Sequence, residues 1–224
     1  MDNLLNKIHH ADCLEFMRSM PDNCVDLCLT DPPFGMSWQS SRRKKKHNKI
    51  ENDANLDWLS DWVGQLSRVI KDDGFIFCFC SFHMVDIFKQ EIQKKFDVKN
   101  ILIWHKNNHG SGDLKNDFAP QYEMVIFCNL GNNPLIGKRD SNILKFARTQ
   151  NDLHPTQKPV DLIGYLASKV IESGIVFDPF SGSGTTALAC HDLGLDFICV
   201  EKDEDYYAAS VKRLEEHQRQ GILL

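Results

Sequence analysis

Apolar residues along this chain recur with two different periods, and the two alternate. Trp58, Leu59, Trp62, Val63, Leu66, Val69 and Ile70 fall at the three-to-four spacing of one helix face, predicting a helix over Trp58–Lys71. Phe75–Ser81 instead reads FIFCFCS, a continuous apolar run that marks a strand covered on both faces. The same reading predicts strands over Lys7–Ala11, Val25–Thr30, Val98–Trp104, Tyr122–Asn129, Ile175–Phe180 and Phe197–Glu201. It predicts helices over Leu14–Met20, His83–Lys95, Val160–Ser173, Thr185–Leu193 and Glu204–Gln220. Asp72-Asp73-Gly74 is expected to close the helix before residue 72 as a turn. Residues 35–57, 105–121 and 130–153 read as loop. Strands alternating with helices, with buried strands among them, predict an α/β fold around a mostly parallel, doubly wound sheet. No repeat or Pro/Gly/Ser linker interrupts the 224 residues, so one domain over 1–224 is expected.

Composition narrows the classes. Hydrophobic residues make up 42% and charged residues 25%, an ordinary globular balance. No apolar run reaches the roughly 18 residues of a membrane span. The first twenty residues carry Asp2, Asp12 and Glu15, so no signal peptide is expected, and the expected location is cytoplasmic. The eight cysteines form no C-x-x-C pair, and most lie in apolar runs. Reduced, buried thiols are expected, with no metal site.

Charge changes the picture further. The net charge is −5, yet Arg42–Lys49 (RRKKKHNK) holds six of the 26 basic residues and no acid. A concentrated basic patch on an acidic body is the electrostatic footprint of a phosphate-bearing partner, although a solvated loop would have the same composition.

Two constellations carry chemistry. The first is IVFDPFSGSGTTALAC, which runs from a strand into a helix and contains Gly182-x-Gly184-x-x-Ala187. Glu201 follows Gly182 by 19 residues at the next strand end. Glycines there let the backbone approach a ligand, and the acid suits ribose hydroxyls. Only 23 residues follow Glu201, too few for a conventional dinucleotide fold. Asp178 in the same turn would repel a pyrophosphate but could receive a cationic amino group. An amino-acid-bearing nucleoside such as S-adenosylmethionine fits both. The second constellation is Asp31-Pro32-Pro33-Phe34, directly after the apolar strand VDLCLT. Two prolines stiffen the turn and leave the Asp31 carboxylate and the Pro32 carbonyl as fixed acceptors beside an aromatic face. That arrangement suits a planar group bearing an NH2, such as a nucleobase.

In order along the chain, DPPF (31–34), HPTQKP (154–159) and FDPFSGSGTT (177–186) resemble the β class of DNA amino-methyltransferases. The likeness extends to HADCLEFM, FIFCFCS, Trp104-His105-Lys106 and YEMVIFCN. It implies a class I, Rossmann-like sheet of seven strands with the catalytic motif preceding the cofactor motif. It implies methyl transfer from S-adenosylmethionine to the exocyclic amine of a base flipped out of double-stranded DNA, without a metal. Asp31, Pro32, Pro33 and Phe34 would be catalytic. Asp178, Phe180, Gly182, Ser183, Gly184 and Thr185 would hold the methionine part. Glu201 and Lys202 would lie at the ribose, and Asp12 and Cys13 near the cofactor adenine. His154, Thr156, Gln157 and Lys158 would close over the methionine carboxylate. Asp31 at the head of the tetrapeptide favours adenine over cytosine, although Phe34 departs from the commoner Tyr. The 35–57 loop would contact DNA through Arg42, Arg43, Lys44, Lys45 and Lys46. Residues 105–153, including Asn107, Asn108, His109, Lys138 and Arg139, would read the target, and dimerisation occurs in the class. A nicotinamide oxidoreductase would explain the glycine turn but neither other motif. Methylation of RNA or protein, and a catalytically inactive DNA-binding relative, stay open.

Overall fold

A computed structural model describes residues 1–34, 56–110, 115–149 and 157–221. In chain order the elements are β1 (Lys7–His10), α1 (Cys13–Ser19), β2 (Val25–Thr30), α2 (Leu59–Val69), β3 (Ile70–Cys80), α3 (Val85–Ile92), β4 (Val98–His105), β5 (Tyr122–Asn129), β6 (Ile143–Lys145), α4 (Val160–Ser168), β7 (Ile175–Asp178), α5 (Thr185–Leu193), β8 (Asp196–Glu201) and α6 (Glu204–Gly221). The strands form one sheet in the order β1-β8-β7-β2-β3-β5-β4-β6. Two cores lie on its two faces. One gathers Met17, Trp62, Leu66, Phe88 and Ile92 from α1–α3. The other gathers Leu162, Leu166, Ala187, Leu188 and Leu214 from α4–α6. This is the doubly wound α/β architecture expected from the alternation of elements, and no helix of the described residues is long and apolar enough to cross a membrane.

The sheet has eight strands rather than the seven expected. The extra one, β6, comes from a stretch read as loop. It pairs parallel with β4 over only three residues and buries only Leu144, too little pattern to show in sequence. The sheet is also mixed. β5 runs antiparallel to both β3 and β4, because the β4–β5 connection returns directly instead of crossing over through a helix.

Asp72-Asp73-Gly74 does not end the helix as a separate turn. It bulges out of β3 instead. Between the pairs Val25–Ile70 and Leu27–Phe75, β2 advances two residues while β3 advances five. A Cβ at Gly74 would lie 2.8 Å from Ile70 Cγ1 and 3.0 Å from the Asp26 carbonyl oxygen, so the bulge needs a glycine there. The cysteines are all free thiols, six buried and two half-buried.

Candidate active site

Strand direction decides what the site contains. β1, β8, β7, β2 and β3 are mutually parallel, so their carboxyl ends meet at one edge of the sheet. The same edge receives the start of β5, because β5 is antiparallel, and the end of β4. Asp12, Glu201, Asp178, Asp31, Lys106 and Glu123 are thereby brought together from distant parts of the chain. In an open α/β sheet this crevice is where ligands bind.

Asp31 leaves β2 into the two prolines, and its carboxylate oxygens differ. Oδ2 accepts from Lys158 Nζ, whereas Oδ1 is buried without a hydrogen-bond partner. Lys158 is itself buried and also pairs with Glu123 Oε2 at 3.3 Å. Glu123 Oε1 accepts from Lys106 Nζ at 2.5 Å. Acid and base alternate through Lys106, Glu123, Lys158 and Asp31. Burial pushes the Asp31 carboxyl above its ordinary value and the adjacent carboxylate of Glu123 adds to this, while the Lys158 ammonium pulls the other way. Burial alone would raise Glu123 too, but the two flanking ammoniums hold it below the usual range. Burial disfavours the Lys158 charge, and its two carboxylate partners more than restore it. Lys158 was expected over a ligand carboxylate. Its place just before α4 aims it instead at the DPPF motif.

The turn between β7 and α5 is built as its glycines suggested. Gly182 and Gly184 have φ of 50° and 75°. A Cβ at Gly184 would sit 3.0 Å from Ser210 Cβ and 3.1 Å from Ile8 Cδ1, so this glycine serves helix–sheet packing as well as the left-handed turn. The Gly182 N–H donates to Glu201 Oε2 at 2.7 Å, and the Asp203 N–H to Oε1 at 2.8 Å. Asp178 accepts from the Thr30 hydroxyl at 3.0 Å, the Thr186 hydroxyl at 2.6 Å and the Phe180 N–H at 3.1 Å. Three of its acceptor positions are thus spent inside the protein, and burial holds its pKa up to about 6. Arg213 of α6 donates to the Ser183 carbonyl at 2.9 Å and the Thr185 hydroxyl at 3.1 Å, fastening the turn from behind. Asp12 caps α1 through the N–H groups of Leu14 and Glu15, and the Lys202 ammonium lies 3.5 Å away. Burial pushes the Cys13 thiol up to about 12, which keeps it un-ionised.

Aromatic rings wall the space between the two motifs. Phe34 meets Phe88 edge-on at 6.0 Å, Trp58 lies 6.3 Å from Phe88, and Phe180 packs on Trp58 at 5.3 Å. Among the described residues, the buried polar atoms left without a partner are Asp31 Oδ1, Gln157 Oε1, Ser181 Oγ, Trp58 Nε1 and Trp62 Nε1. Asp31, Gln157 and Ser181 belong to this edge and Trp58 to the aromatic wall, while Trp62 packs behind it, 6.1 Å from Phe180. Buried polar groups are normally satisfied, so such a concentration fits a ligand that brings its own donors and acceptors.

Not every expected residue reaches the site. His154, Thr156 and Arg42–Lys46 lie outside the described residues. Lys138 and Arg139 were expected on the DNA face with them, and the structure corrects this. β5 exits at the opposite edge, and the Lys138 carbonyl accepts from Lys169, one residue past the end of α4. The rest of the 105–153 region divides. Residues 106–110 and 115–121 lie off the catalytic edge, and Arg148 returns to it, its N–H donating to Asn107 Oδ1 at 3.1 Å. His191, Asp192 and His217 form a trio with metal-ligand spacing where α5 ends, away from this site. Lys106, Glu123, Thr30, Thr186 and Arg213 were not anticipated as site residues. The sequence signal for Glu123 was an acid at the second position of a strand that reads as buried.

Comparison with known proteins agrees with this arrangement. The profile of the DNA methylase family that covers N6 and N4 enzymes matches residues 25–152 and 136–212. YubD of Escherichia coli (strain K12), which carries a provisional methylase name, is 29% identical over 96% of this chain and 92% of its own. The DNA adenine methyltransferase YhdJ of the same organism is 25% identical over 95% of this chain and 84% of its own. The crystal structure of the M1.HpyAVI–SAM complex superposes with a TM-score of 0.69 at 25% identity, covering 93% of this chain and 98% of that one. The glycine turn and the Asp31 tetrapeptide thus share one edge in a chain that belongs to the N6/N4 DNA methylase family.

Proposed function

We propose that the chain transfers a methyl group from S-adenosylmethionine to the exocyclic amine of an adenine flipped out of double-stranded DNA. The observation that carries this is the asymmetry of the Asp31 carboxylate. Lys158 anchors Oδ2, and the buried Oδ1 is left with an unmet need for a donor. An amino N–H meets that need, and the Pro32 carbonyl offers the second acceptor. Two acceptors on one NH2 pull its lone pair out of conjugation with the ring and fix its direction. A base inside the duplex cannot reach them, so the target must leave the stack. Phe34 offers it a stacking face. Rate then comes from positioning and from acceptors placed where positive charge develops on nitrogen.

The unpartnered Gln157, Ser181 and Trp58 atoms, with the Glu201 carboxylate at Gly182, fit a nucleoside cofactor carrying an amino acid. When bound, it would supply a sulfonium methyl to the amine lone pair and leave as a neutral thioether, and the nitrogen would then lose one of its two original protons to solvent. Gly182–Thr185 would hold its amino-acid part and Glu201 its ribose. Adenine is favoured by Asp31 at the head of the tetrapeptide, and the named adenine specificity of YhdJ is consistent with that choice.

The test is methyl transfer to unmethylated double-stranded DNA, followed by digestion to nucleosides and mass spectrometry. N6-methyl-2′-deoxyadenosine is the expected product. N4-methylcytosine would overturn the choice of base, and no product on DNA would overturn the substrate.

A further inference from the structure

We propose that Phe118 is the side chain that enters the duplex beside the target base and fills the stacking space it vacates. This rests on the base-flipping reading above and adds a residue to it.

Phe118 is 94% exposed. A single exposed apolar residue is ordinary on a protein surface, so exposure alone carries nothing. Its placement does. The pairing of β4 with β5 does not stop at His105–Tyr122. The Lys106 N–H donates to the Gln121 carbonyl at 2.9 Å, Gln121 Nε2 returns to the Lys106 carbonyl at 3.0 Å, and the Gly110 N–H donates to the Pro120 carbonyl at 2.7 Å. The two segments therefore stay bonded beyond the strands as an irregular stem off the catalytic edge, and Phe118 stands two residues past the last bond, Gly110 to Pro120. At about 3.3 Å per extended residue, it lies within roughly 17 Å of Glu123 at the foot of the stem. Glu123 contacts the Lys158 that anchors Asp31. The stem thus ties Phe118 to the point where the flipped amine would be held.

Two further observations agree. The Phe118 N–H donates to Asp117 Oδ1 at 2.7 Å, and Pro120 follows, so the backbone presenting the ring is braced locally. Among the described residues, the exposed large aromatics are Phe82, Phe118 and Tyr122, and all three belong to this edge. Phe82 and Tyr122 lie 6.5 Å apart at the foot of the stem, and Phe118 is the outermost. Apolar side chains that enter DNA work by replacing lost stacking with their own face, and a phenyl ring is suited to that.

The test uses Phe118→Ala and Phe118→Trp with two duplexes that contain the site methylated by the wild type. One is fully paired, and the other has an abasic position opposite the target base, which lowers the cost of extrusion. Phe118→Ala is expected to lose about tenfold or more in kcat/KM on the paired duplex and to recover most of it on the abasic one. Phe118→Trp is expected to keep activity on both. Cofactor affinity and Tm should not change in either variant. Equal activity of Phe118→Ala and wild type on the paired duplex would overturn the wedge. So would an equal loss on both duplexes, which would mark an ordinary binding contact. A wild type with no methylated site on any double-stranded DNA would overturn the reading beneath it.

Discussion

At Asp31 the protein faces a conflict that its neighbours resolve. A useful acceptor must be ionised, and burial works against ionisation. Lys158 opposes that loss of charge without cancelling it, and it occupies one oxygen while the other stays unpartnered. Asp31→Ala is therefore expected to abolish methyl transfer while cofactor affinity, read by calorimetry, stays nearly intact. Glu123 acts one step back as a positioning residue. It holds Lys158 and Lys106 in place, and its own charge raises the Asp31 pKa. Glu123→Gln is expected to lower kcat about 10- to 100-fold through misplacement of the acceptor, with cofactor KM unchanged. It should also move the acid limb of the pH–rate profile to lower pH, because a carboxylate that opposed Asp31 ionisation is gone. A limb that stayed in place would separate Glu123 from Asp31. None of this chain of contacts was legible in sequence, because its members lie at positions 31, 106, 123 and 158.

The β7–α5 turn shows how one element can be written almost completely in local sequence. Its strand, both glycines, its helix and the acid 19 residues on all stand where the pattern put them. What the pattern could not say is how Asp178 is used. Its folded pKa of about 6 lies above the ordinary 3.8, so between those values the folded state binds more protons than the unfolded one. Stability therefore falls as pH rises from about 4 to about 6, by about 3 kcal/mol. Asp178→Asn keeps the shape and removes that cost. Its Tm should exceed the wild type's by several degrees at pH 7.5, with the difference closing near pH 4 in a thermal melt. A lower Tm at every pH would mean that the three donors already compensate the charge. In the same element Gly184→Ala meets both a positive φ and two close atoms. It is expected to destabilise by about 1–3 kcal/mol in urea unfolding.

Across the whole molecule, charge and topology bear on where the proposed DNA contact lies. The Arg42–Lys46 run lies outside the described residues, and in sequence it follows Phe34, which stands at the catalytic edge. If about five phosphates are neutralised there, replacing the five basic residues with Gln should reduce the slope of log K against log salt by roughly 4. An unchanged slope would put the DNA elsewhere. Lys138→Gln and Arg139→Gln should leave the slope alone, because the run of β5 carries them to the opposite edge.

Local sequence by itself determined the elements apart from β6, the doubly wound class and both motif turns, because backbone conformation and burial period are set by residues close together in the chain. Tertiary structure alone decided the direction of β5, and with it the fate of everything β5 carries. That direction brought Glu123 and Lys106 to Asp31 and took Lys138 and Arg139 away from it. It also decided which oxygen of Asp31 stays unpaired. These are long-range outcomes of strand pairing, and no window of sequence contains both partners.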